Sequence, residues 1–244
     1  MIYRTRQRQL SYGRPIGIIV LEESIPCPPG TPGNPTTFSY PVCYEIARGA
    51  SALGMRDAAN PTGLESLLTA GRALVDRGVY AIAGNCGLMI VHQQAVAKAL
   101  PVPVLLSSLL QLPLIAQMYG RHATVGIMAS SAKSLTAEHL RLASQGAEIR
   151  TVIASMDGKE HFRAAVGDES GTLDFERVQA EVVEAAQDLV VRHPEVAAIL
   201  LECVDLPPYS AAVQEAVGRP VFDLTTLIDH VHSALVRKPF MGVY

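Results

Sequence analysis

The stretch VYAIAGNCG, residues 79–87, decides the fold, because an apolar run ends in a polar residue and a cysteine and then leads into a helical pattern. The same arrangement returns 117 residues later, at Val196–Val204. When Val79–Val104 is aligned with Val196–Val221 without a gap, nine of the 26 positions are identical, and Cys86 and Cys203 are one of the matched pairs. The chain is therefore predicted to contain two similar halves.

Short β-branched apolar runs alternate with helical patterns along the whole chain. This alternation is typical of βαβ units with parallel sheets. The predicted strands are Ile16–Leu21, Val79–Gly84, Val102–Leu106, Thr124–Met128, Ile149–Ile153, Val196–Leu201 and Val221–Phe222. The predicted helices are Leu64–Arg77, Leu88–Leu100, Ser134–Gln145, Phe175–Arg192, Tyr209–Val217 and Thr225–Val236. The fold class is α/β, with two similar lobes of mostly parallel sheets flanked by helices and related by a pseudo-twofold axis.

The repeat also predicts how the chain divides into lobes. Residues 15–120 and 221–244 are assigned to the first lobe, onto which the C-terminal helix packs back, and residues 121–220 to the second, with a cleft between them. A second match pairs Ile16–Ile19 with Val125–Met128 at an offset of 109. Because this offset is eight shorter than the first, we expect an insertion in the first lobe, at the loop Ile25–Pro41.

Composition excludes several classes of protein. The 244 residues are 49% hydrophobic and 18% charged, with a net charge of −3, whereas disordered chains have few apolar residues and nucleic-acid-binding domains are usually basic. The N-terminal arginines Arg4, Arg6 and Arg8 are not followed by the apolar run of a secretory signal, and the sequence holds no apolar stretch of about 20 residues. We expect a cytoplasmic protein without nucleic-acid or membrane partners; homo-oligomerisation stays possible.

The two matched cysteines are the candidate catalytic residues. Each follows a buried strand and precedes a helix, and open parallel sheets bind ligands at the carboxyl ends of their strands. The N-terminal dipole of the following helix lowers the pKa of a thiol. Cysteines on opposite sides of a cleft could remove a proton from a carbon next to a carboxylate and return one to the other face. Cys27 and Cys43 have no repeat partner, and we interpret both as structural.

A resemblance to a known family rests on the segments around these cysteines. Gly84-Asn85-Cys86-Gly87 and the segment LECVDLPPY, residues 201–209, resemble the two cysteine signatures of the aspartate/glutamate racemase superfamily, which includes hydantoin racemases, maleate isomerases and arylmalonate decarboxylases. The resemblance implies a two-lobed α/β fold and catalytic roles for Cys86 and Cys203. The amino-acid racemases typically have Asn-Thr and Thr-His after the cysteines, whereas this chain has Gly-Leu and Val-Asp, so polar groups that recognise an amino acid are missing.

Position along the chain suggests groups that would support the chemistry. Two groups are the residues beside the cysteines and the residues at the end of a second-lobe strand. A third group is the polar residues of the Pro/Gly-rich loop 26–38, because loops of this length in compact domains are often functional. The predicted substrate-binding residues are Asn85, Gly87, Glu202, Val204, Ser130, Ser131, Asn34 and Thr36. The seven histidines form no zinc pattern, and no glycine-rich nucleotide motif follows a strand, so we predict neither a metal nor a cofactor.

The leading hypothesis from the sequence is a cofactor-independent racemase, epimerase or isomerase of a small carboxylate or carbonyl acid. Cys86 and Cys203 would act as its acid and base. Two alternatives stay open: a cis–trans isomerase that uses one cysteine as a nucleophile, and a catalytically inactive protein that binds a small acid. The identity and stereochemistry of the substrate are not determined by the sequence.

Overall fold

Two four-stranded parallel sheets form the framework of the computed structural model, which describes residues 2, 9, 12–57, 61–120 and 122–242. The strand orders are β2-β1-β3-β4 in one sheet and β6-β5-β7-β8 in the other. The two orders are the same under the sequence repeat, so the α/β prediction and the two similar halves are confirmed. Arg4, Arg6 and Arg8 of the basic N-terminal segment lie outside the described residues.

The strands are short and mostly buried, and helices connect them. The strands are β1 (Ile16–Leu21), β2 (Val42–Ala47), β3 (Ala81–Gly84), β4 (Val104–Leu105), β5 (Thr124–Ala129), β6 (Arg150–Ser155), β7 (Val196–Leu201) and β8 (Val221–Phe222). The helices are α1 (Pro61–Asp76), α2 (Gln93–Ala99), α3 (Leu112–Tyr119), α4 (Ala137–Ser144), α5 (Glu160–Phe162), α6 (Phe175–Arg192), α7 (Ser210–Val217) and α8 (Leu224–Leu235). None of the helices described here has both the length and the apolar character that a membrane span requires.

Equivalent glycines let one long helix pack closely against each sheet. A Cβ atom at Gly17 of β1 would lie 3.0 Å from the side chain of Leu74 in α1. At Gly126 of β5 it would lie 2.8 Å from the side chain of Leu189 in α6. Because a side chain at either position would push the helix away from the sheet, both glycines serve the same close approach.

The last helix of each half packs on the other sheet. Leu112 and Ile115 of α3 lie in a core cluster with Val125 and Ile127 of β5. Leu224 and Ile228 of α8 lie in a cluster with residues of β1 and β3. Strand β8 pairs with β7 in the second sheet. The lobe boundaries at 120 and 221 stay a prediction, since sheet pairing and helix packing divide these segments differently.

The structure corrects several expectations from the sequence. Strand β2 was not predicted, and β4 is shorter than the run Val102–Leu106. The expected insertion at Ile25–Pro41 is wrong, because the starts of β1 and β2 are 26 positions apart and so are the starts of β5 and β6. The extra residues instead lie in the second half, between β6 and β7. Helix α5 and a π-helix, Arg163–Gly167, lie in that interval.

Candidate active site

A cavity of about 440 Å³ lies where the carboxyl ends of both sheets meet. Residues that follow β1, β3, β5 and β7 line it, as expected for an open parallel sheet. The predicted site residues that the structure brings together there are Asn85, Cys86, Gly87, Ser130, Ser131, Glu202, Cys203 and Val204. Both candidate cysteines are buried free thiols, so the cavity joins the two halves of the repeat around the pair.

The Cys86 side of the cavity is held by its neighbouring asparagine. The Asn85 Oδ1 atom accepts a hydrogen bond of 3.0 Å from the backbone N–H of Leu21, which ties the end of β3 to the end of β1. Cys86 then precedes a 3-10 turn, Gly87–His92, and the backbone N–H of Leu88 donates to its thiol. The asparagine therefore positions the strand end.

The Cys203 side is held by contacts from both halves. Ser108 Oγ donates a hydrogen bond of 2.8 Å to the carbonyl of Leu201, the last residue of β7. The thiol of Cys203 donates to the Asp205 carboxylate, with 3.5 Å between Sγ and Oδ2. This contact lies within the range for a sulfur donor and places a proton acceptor beside the thiol.

Burial raises the pKa of both thiols. Desolvation is the main cause, and nearby carboxylates add to it: the largest such contribution comes from Glu202 for Cys86 and from Asp205 for Cys203. Backbone N–H groups act in the opposite direction but are outweighed. The expectation that the helix dipole would lower the thiol pKa is therefore wrong as a net effect. The raised pKa values favour the protonated thiols at neutral pH, so a bound substrate must help to ionise one.

The same burial raises the pKa of the neighbouring carboxyl groups. It raises the pKa of Glu202 to about 8, with a contribution from the negative charge of Asp205. It raises the pKa of Asp205 to about 6, against the hydrogen bond from Cys203, and raises that of Glu23 as well. The backbone N–H of Ala52 donates to Glu23 Oε1 at 2.6 Å. The wall around the thiols is therefore acidic.

The carboxyl group of Glu202 lies directly against the backbone of the other half. A Cβ atom at Gly87 would lie 2.1 Å from Glu202 Oε1 and 2.3 Å from the Glu202 carbonyl oxygen. Such distances are far below van der Waals contact, so a residue with a side chain does not fit at position 87 without a shift. Gly87 thus contributes close packing between the halves rather than a polar contact.

The extra segment of the second half closes one side of the cavity. Phe162 of α5, together with Arg163 and Val166 of the π-helix, lines it. Just beyond, Glu169 has a left-handed backbone with φ of 48°, and its Oε2 atom accepts a 2.9 Å hydrogen bond from the N–H of Ser24. This bond connects the loop after β1 to the segment after β6. Single-turn π-helices occur frequently at functional sites.

The serines and the loop residues differ in their positions. Ser131 lines the cavity, but its hydroxyl lies 3.3 Å from Asp157 Oδ2, so it is already engaged. Ser130 lines the cavity without a hydrogen bond among the described residues. Asn34 and Thr36 do not line it: Asn34 Oδ1 accepts from the N–H and the hydroxyl of Thr36 and caps a short 3-10 turn.

The loop 26–38 still contributes to the site through other residues. Cys27, Thr31, Pro32 and Gly33 line a smaller cavity of about 90 Å³. Asn85 and Asp205 line both cavities. The loop therefore shapes the cleft through its backbone and apolar atoms, whereas its polar side chains maintain its own conformation.

Six charged residues that line the cavity were missed by sequence reasoning. They are Glu23, Arg56, Asp157, Arg163, Glu169 and Asp205. The repeat could have indicated two of them as site residues, since Glu23 follows β1 closely and Asp205 lies two residues after Cys203. Arg56 ends a short 3-10 turn and Arg163 begins the π-helix, and no sequence pattern marks either position. The described residues contain no group of His, Cys, Asp and Glu arranged to hold a metal ion.

Comparison with curated proteins finds relatives that are named as lyases, and no family model matches the chain. Dimethylsulfoniopropionate lyase 5 of Emiliania huxleyi is 30% identical over 237 residues, which cover 93% of this chain and 47% of that protein. A dimethylsulfoniopropionate lyase of Durusdinium sp. clade D is 29% identical over 234 residues, covering 93% of this chain and 77% of the relative. The chain thus spans about half the length of the first of these relatives.

Comparison with solved structures finds similar folds at low sequence identity. A glycine-to-cysteine mutant of arylmalonate decarboxylase, in a sulfate-associated form, matches with a TM-score of 0.64 at 16% identity and covers 94% of this chain and 97% of its own. An aspartate racemase homologue from Pyrococcus horikoshii OT3 matches with a TM-score of 0.58 at 18% identity, covering 90% and 99%. The chain has the aspartate/glutamate racemase fold. For the fold, the resemblance expected from the two cysteine segments is confirmed.

Within this racemase fold the proteins that the chain resembles are enzymes of different reaction classes. The sequence relatives are named as lyases, and the structural neighbours include a decarboxylase and a racemase homologue. The fold alone therefore does not select isomerase chemistry over the others.

Proposed function

We propose that this chain is a lyase that removes the α-proton of a small carboxylate and expels a leaving group from its β-carbon. Dimethylsulfoniopropionate is the substrate that we assign to it. The observation that carries the proposal is the hydrogen bond from the Cys203 thiol to Asp205, inside the cavity that Cys86 shares. The lyases that match 93% of the chain support this substrate.

The proposed reaction begins with ionisation of Cys203. Asp205, whose pKa is about 6, is largely ionised at neutral pH and accepts the thiol proton when the positive substrate enters. The thiolate then takes the proton from carbon α, and the electrons of that C–H bond form the double bond between carbons α and β. The bond from carbon β to sulfur breaks, and dimethyl sulfide leaves with its electron pair. The products are dimethyl sulfide, propenoate and one proton, which Asp205 passes to solvent.

The substrate carboxylate needs a partner that stabilises the charge developing on it as carbon α is deprotonated. Arg56 and Arg163 are the described cations that line the cavity, and Ser130 offers a hydroxyl there that has no hydrogen bond among the described residues. Arg163 also pairs with Asp168 at 3.6 Å, whereas Arg56 has no ion pair among the described residues. We assign carboxylate binding to Arg56 and Ser130 on this ground.

A second candidate function is the two-thiol racemisation or epimerisation suggested by the sequence. The presence of Cys86 in the same cavity favours it, because inversion needs an acid and a base on opposite faces of the carbon. Elimination needs one base only. The Cys86 thiol donates to no carboxylate among the described residues, and Leu88 occupies the position equivalent to Asp205; this is why we place elimination first.

Headspace measurement of dimethyl sulfide tests the proposal. The wild-type chain is expected to release it from dimethylsulfoniopropionate, and Cys203→Ala to lower the rate by about 1,000-fold or more, because the general base is lost. Cys43→Ala is the matched control, since Cys43 lies in the core away from the cavity and its loss leaves turnover near the wild-type rate.

Two outcomes would contradict the lyase. Exchange of the α-proton in deuterated water without elimination would favour the racemase, above all if Cys86→Ala and Cys203→Ala both abolished it. Absence of both exchange and elimination, with a small acid still bound, would favour the inactive binding protein. A covalent adduct on one cysteine with an unsaturated acid would favour the cis–trans isomerase.

A further inference from the structure

Glu202 is a buried carboxyl group without a hydrogen-bond partner among the described residues. The residue is 2% exposed, yet it lines the main cavity. Its Oε1 atom lies against Gly87 of the other half, so the carboxyl group is held in place by packing and not by a polar contact. Buried polar groups nearly always have partners, because a missing one costs free energy. A group of this kind facing a cavity points to a partner that comes from outside the chain.

The charges around Glu202 show what sign that partner has. Asp205 and Cys203 face it from its own loop, and Cys86 faces it from the loop after β3. Glu23, in the loop after β1, adds its charge to Cys86 and Asp205. The other charged residues that line the cavity are Asp157, Glu169 and two exposed cations, Arg56 and Arg163. Asp157 is occupied by the N–H of Ala132 and by serine hydroxyls. The buried wall is therefore acidic, and it suits a cation.

The apolar part of the lining shows what kind of cation fits. Ile25, Met156, Phe162 and Val166 line the same cavity as the carboxyl groups. A metal ion would need several oxygen, nitrogen or sulfur ligands arranged together, and the described residues hold no such group. A methylated onium centre combines a positive charge with a surface of methyl groups, which contact apolar and aromatic side chains favourably.

We propose that Glu202, with Asp205 beside it, binds the methylated onium group of the substrate. The inference rests on the proposed lyase function and names the part of the site that recognises the leaving group. A cation held there would stabilise the ionised form of Glu202, which then loses its proton to solvent. The same charge would favour the thiolate of Cys203, so that substrate entry prepares the base that attacks it.

Two carboxylates of nearly identical shape test this inference without any turnover. 3-(Trimethylammonio)propanoate and 4,4-dimethylpentanoate differ only in a charged nitrogen in place of a carbon. Calorimetric titration at pH 7 is expected to show that the wild-type chain binds the cationic compound at least 10-fold more tightly. In Glu202→Gln the ratio is expected to fall to about 1 while the Kd of the neutral compound changes little. Glu215→Gln, an exposed glutamate of α7, is the matched control and keeps the wild-type ratio.

Proton release gives a second readout that needs no variant. Because the pKa of Glu202 is about 8 in the empty site, a cation that ionises it at pH 7 releases a proton, and the measured heat then depends on the buffer. Equal affinity for the two compounds in the wild-type chain, or a ratio unchanged in Glu202→Gln, would overturn the inference. A chain that prefers the cation but releases no dimethyl sulfide would refute the lyase and leave the onium site intact. The same affinity ratio can be measured with sulfur as the charged atom. In the inert Cys203→Ala variant, the Kd of dimethylsulfoniopropionate is compared with that of 4-methylpentanoate.

Discussion

The two cysteine-bearing strand ends are equivalent in the repeat but differ in every residue beside the thiol. After β3 the order is Asn85-Cys86-Gly87-Leu88, and after β7 it is Glu202-Cys203-Val204-Asp205. Asn85 binds the backbone of β1, whereas Glu202 has no hydrogen-bond partner among the described residues. Cys86 has an apolar residue at the position where Cys203 has a carboxylate. The backbone geometry is repeated, but the ionisable groups are concentrated at one end.

This difference shows that the two thiols are not interchangeable. A reaction that inverts a carbon in both directions needs two bases of comparable strength, each with a way to lose its proton. Here only Cys203 donates to a carboxylate, among the contacts that the described residues make. The asymmetry agrees better with a reaction that uses one base, and it is open to direct tests.

Among changes to the residues beside the thiols, Asp205→Asn should have the largest effect, because it makes the two ends alike in lacking a proton acceptor beside the thiol. We expect kcat to fall by about 100- to 1,000-fold, within the range for loss of an acid–base group. In the wild-type chain the rate should also fall as the pH drops through about 6, since protonated Asp205 cannot accept the thiol proton. The pH–rate profile of the variant should lack this decrease at acidic pH, called here the acid limb.

The pH dependence of the Asp205→Asn variant needs a matched control. Asp188→Asn, on the exposed face of α6, should leave both the rate and the acid limb unchanged. If Asp205→Asn kept the acid limb, another group would be controlling the ionisation of Cys203. Steady-state rates from pH 5 to pH 8 on the three proteins decide between these results.

Glu202 should make the stability of the chain depend on pH in an unusual direction. Its pKa is about 8 in the folded state and near 4.5 when the chain is unfolded, so the folded state keeps a proton that the unfolded state has lost. Stability is therefore full below about 4.5 and falls as the pH rises toward 8. The expected loss is on the order of 5 kcal/mol, from the difference between 4.5 and about 8 at about 1.4 kcal/mol for each pKa unit.

The variant Glu202→Gln isolates this contribution, because it removes the charge and keeps the shape. Urea unfolding at pH 5, 6, 7 and 8 should show that the variant loses less stability than the wild-type chain over this range. Asp205, whose pKa is raised to about 6, contributes a similar fall at lower pH in both proteins. Parallel curves for the two proteins would show that Glu202 is ionised in the folded state.

Local patterns in the sequence predicted the framework of the molecule well. The strands at Ile16–Leu21 and Val196–Leu201 have the predicted bounds, since continuous apolar runs mark strands buried on both faces. Strand β2 was missed because it is an edge strand with exposed positions, Ile46 among them, and so lacks such a run.

The site was predicted where the repeat marks it and missed where contacts across the cleft define it. The cysteines and their neighbours were identified because they end matching strands. The pairing of Glu202 with Gly87, and the bond between Ser24 and Glu169, join positions more than 100 residues apart. The direction of the thiol pKa was wrong for a related reason: burial by both halves outweighs the local backbone N–H groups, and burial is not visible in a motif.

Asn85→Ala should have the smallest effect of these changes and completes the comparison of the two ends. The variant leaves the N–H of Leu21 without its acceptor in a partly buried position, which should lower the free energy of unfolding by about 1 kcal/mol. Asn34→Ala is the matched control: Asn34 Oδ1 also accepts from a backbone N–H, but on an exposed loop where water can replace it. Thermal unfolding should therefore show a larger decrease for Asn85→Ala than for Asn34→Ala. If the two decreases were equal, the hydrogen bond between β3 and β1 would not stabilise the strand end. Asn85 would then be as available as Glu202 for binding a ligand.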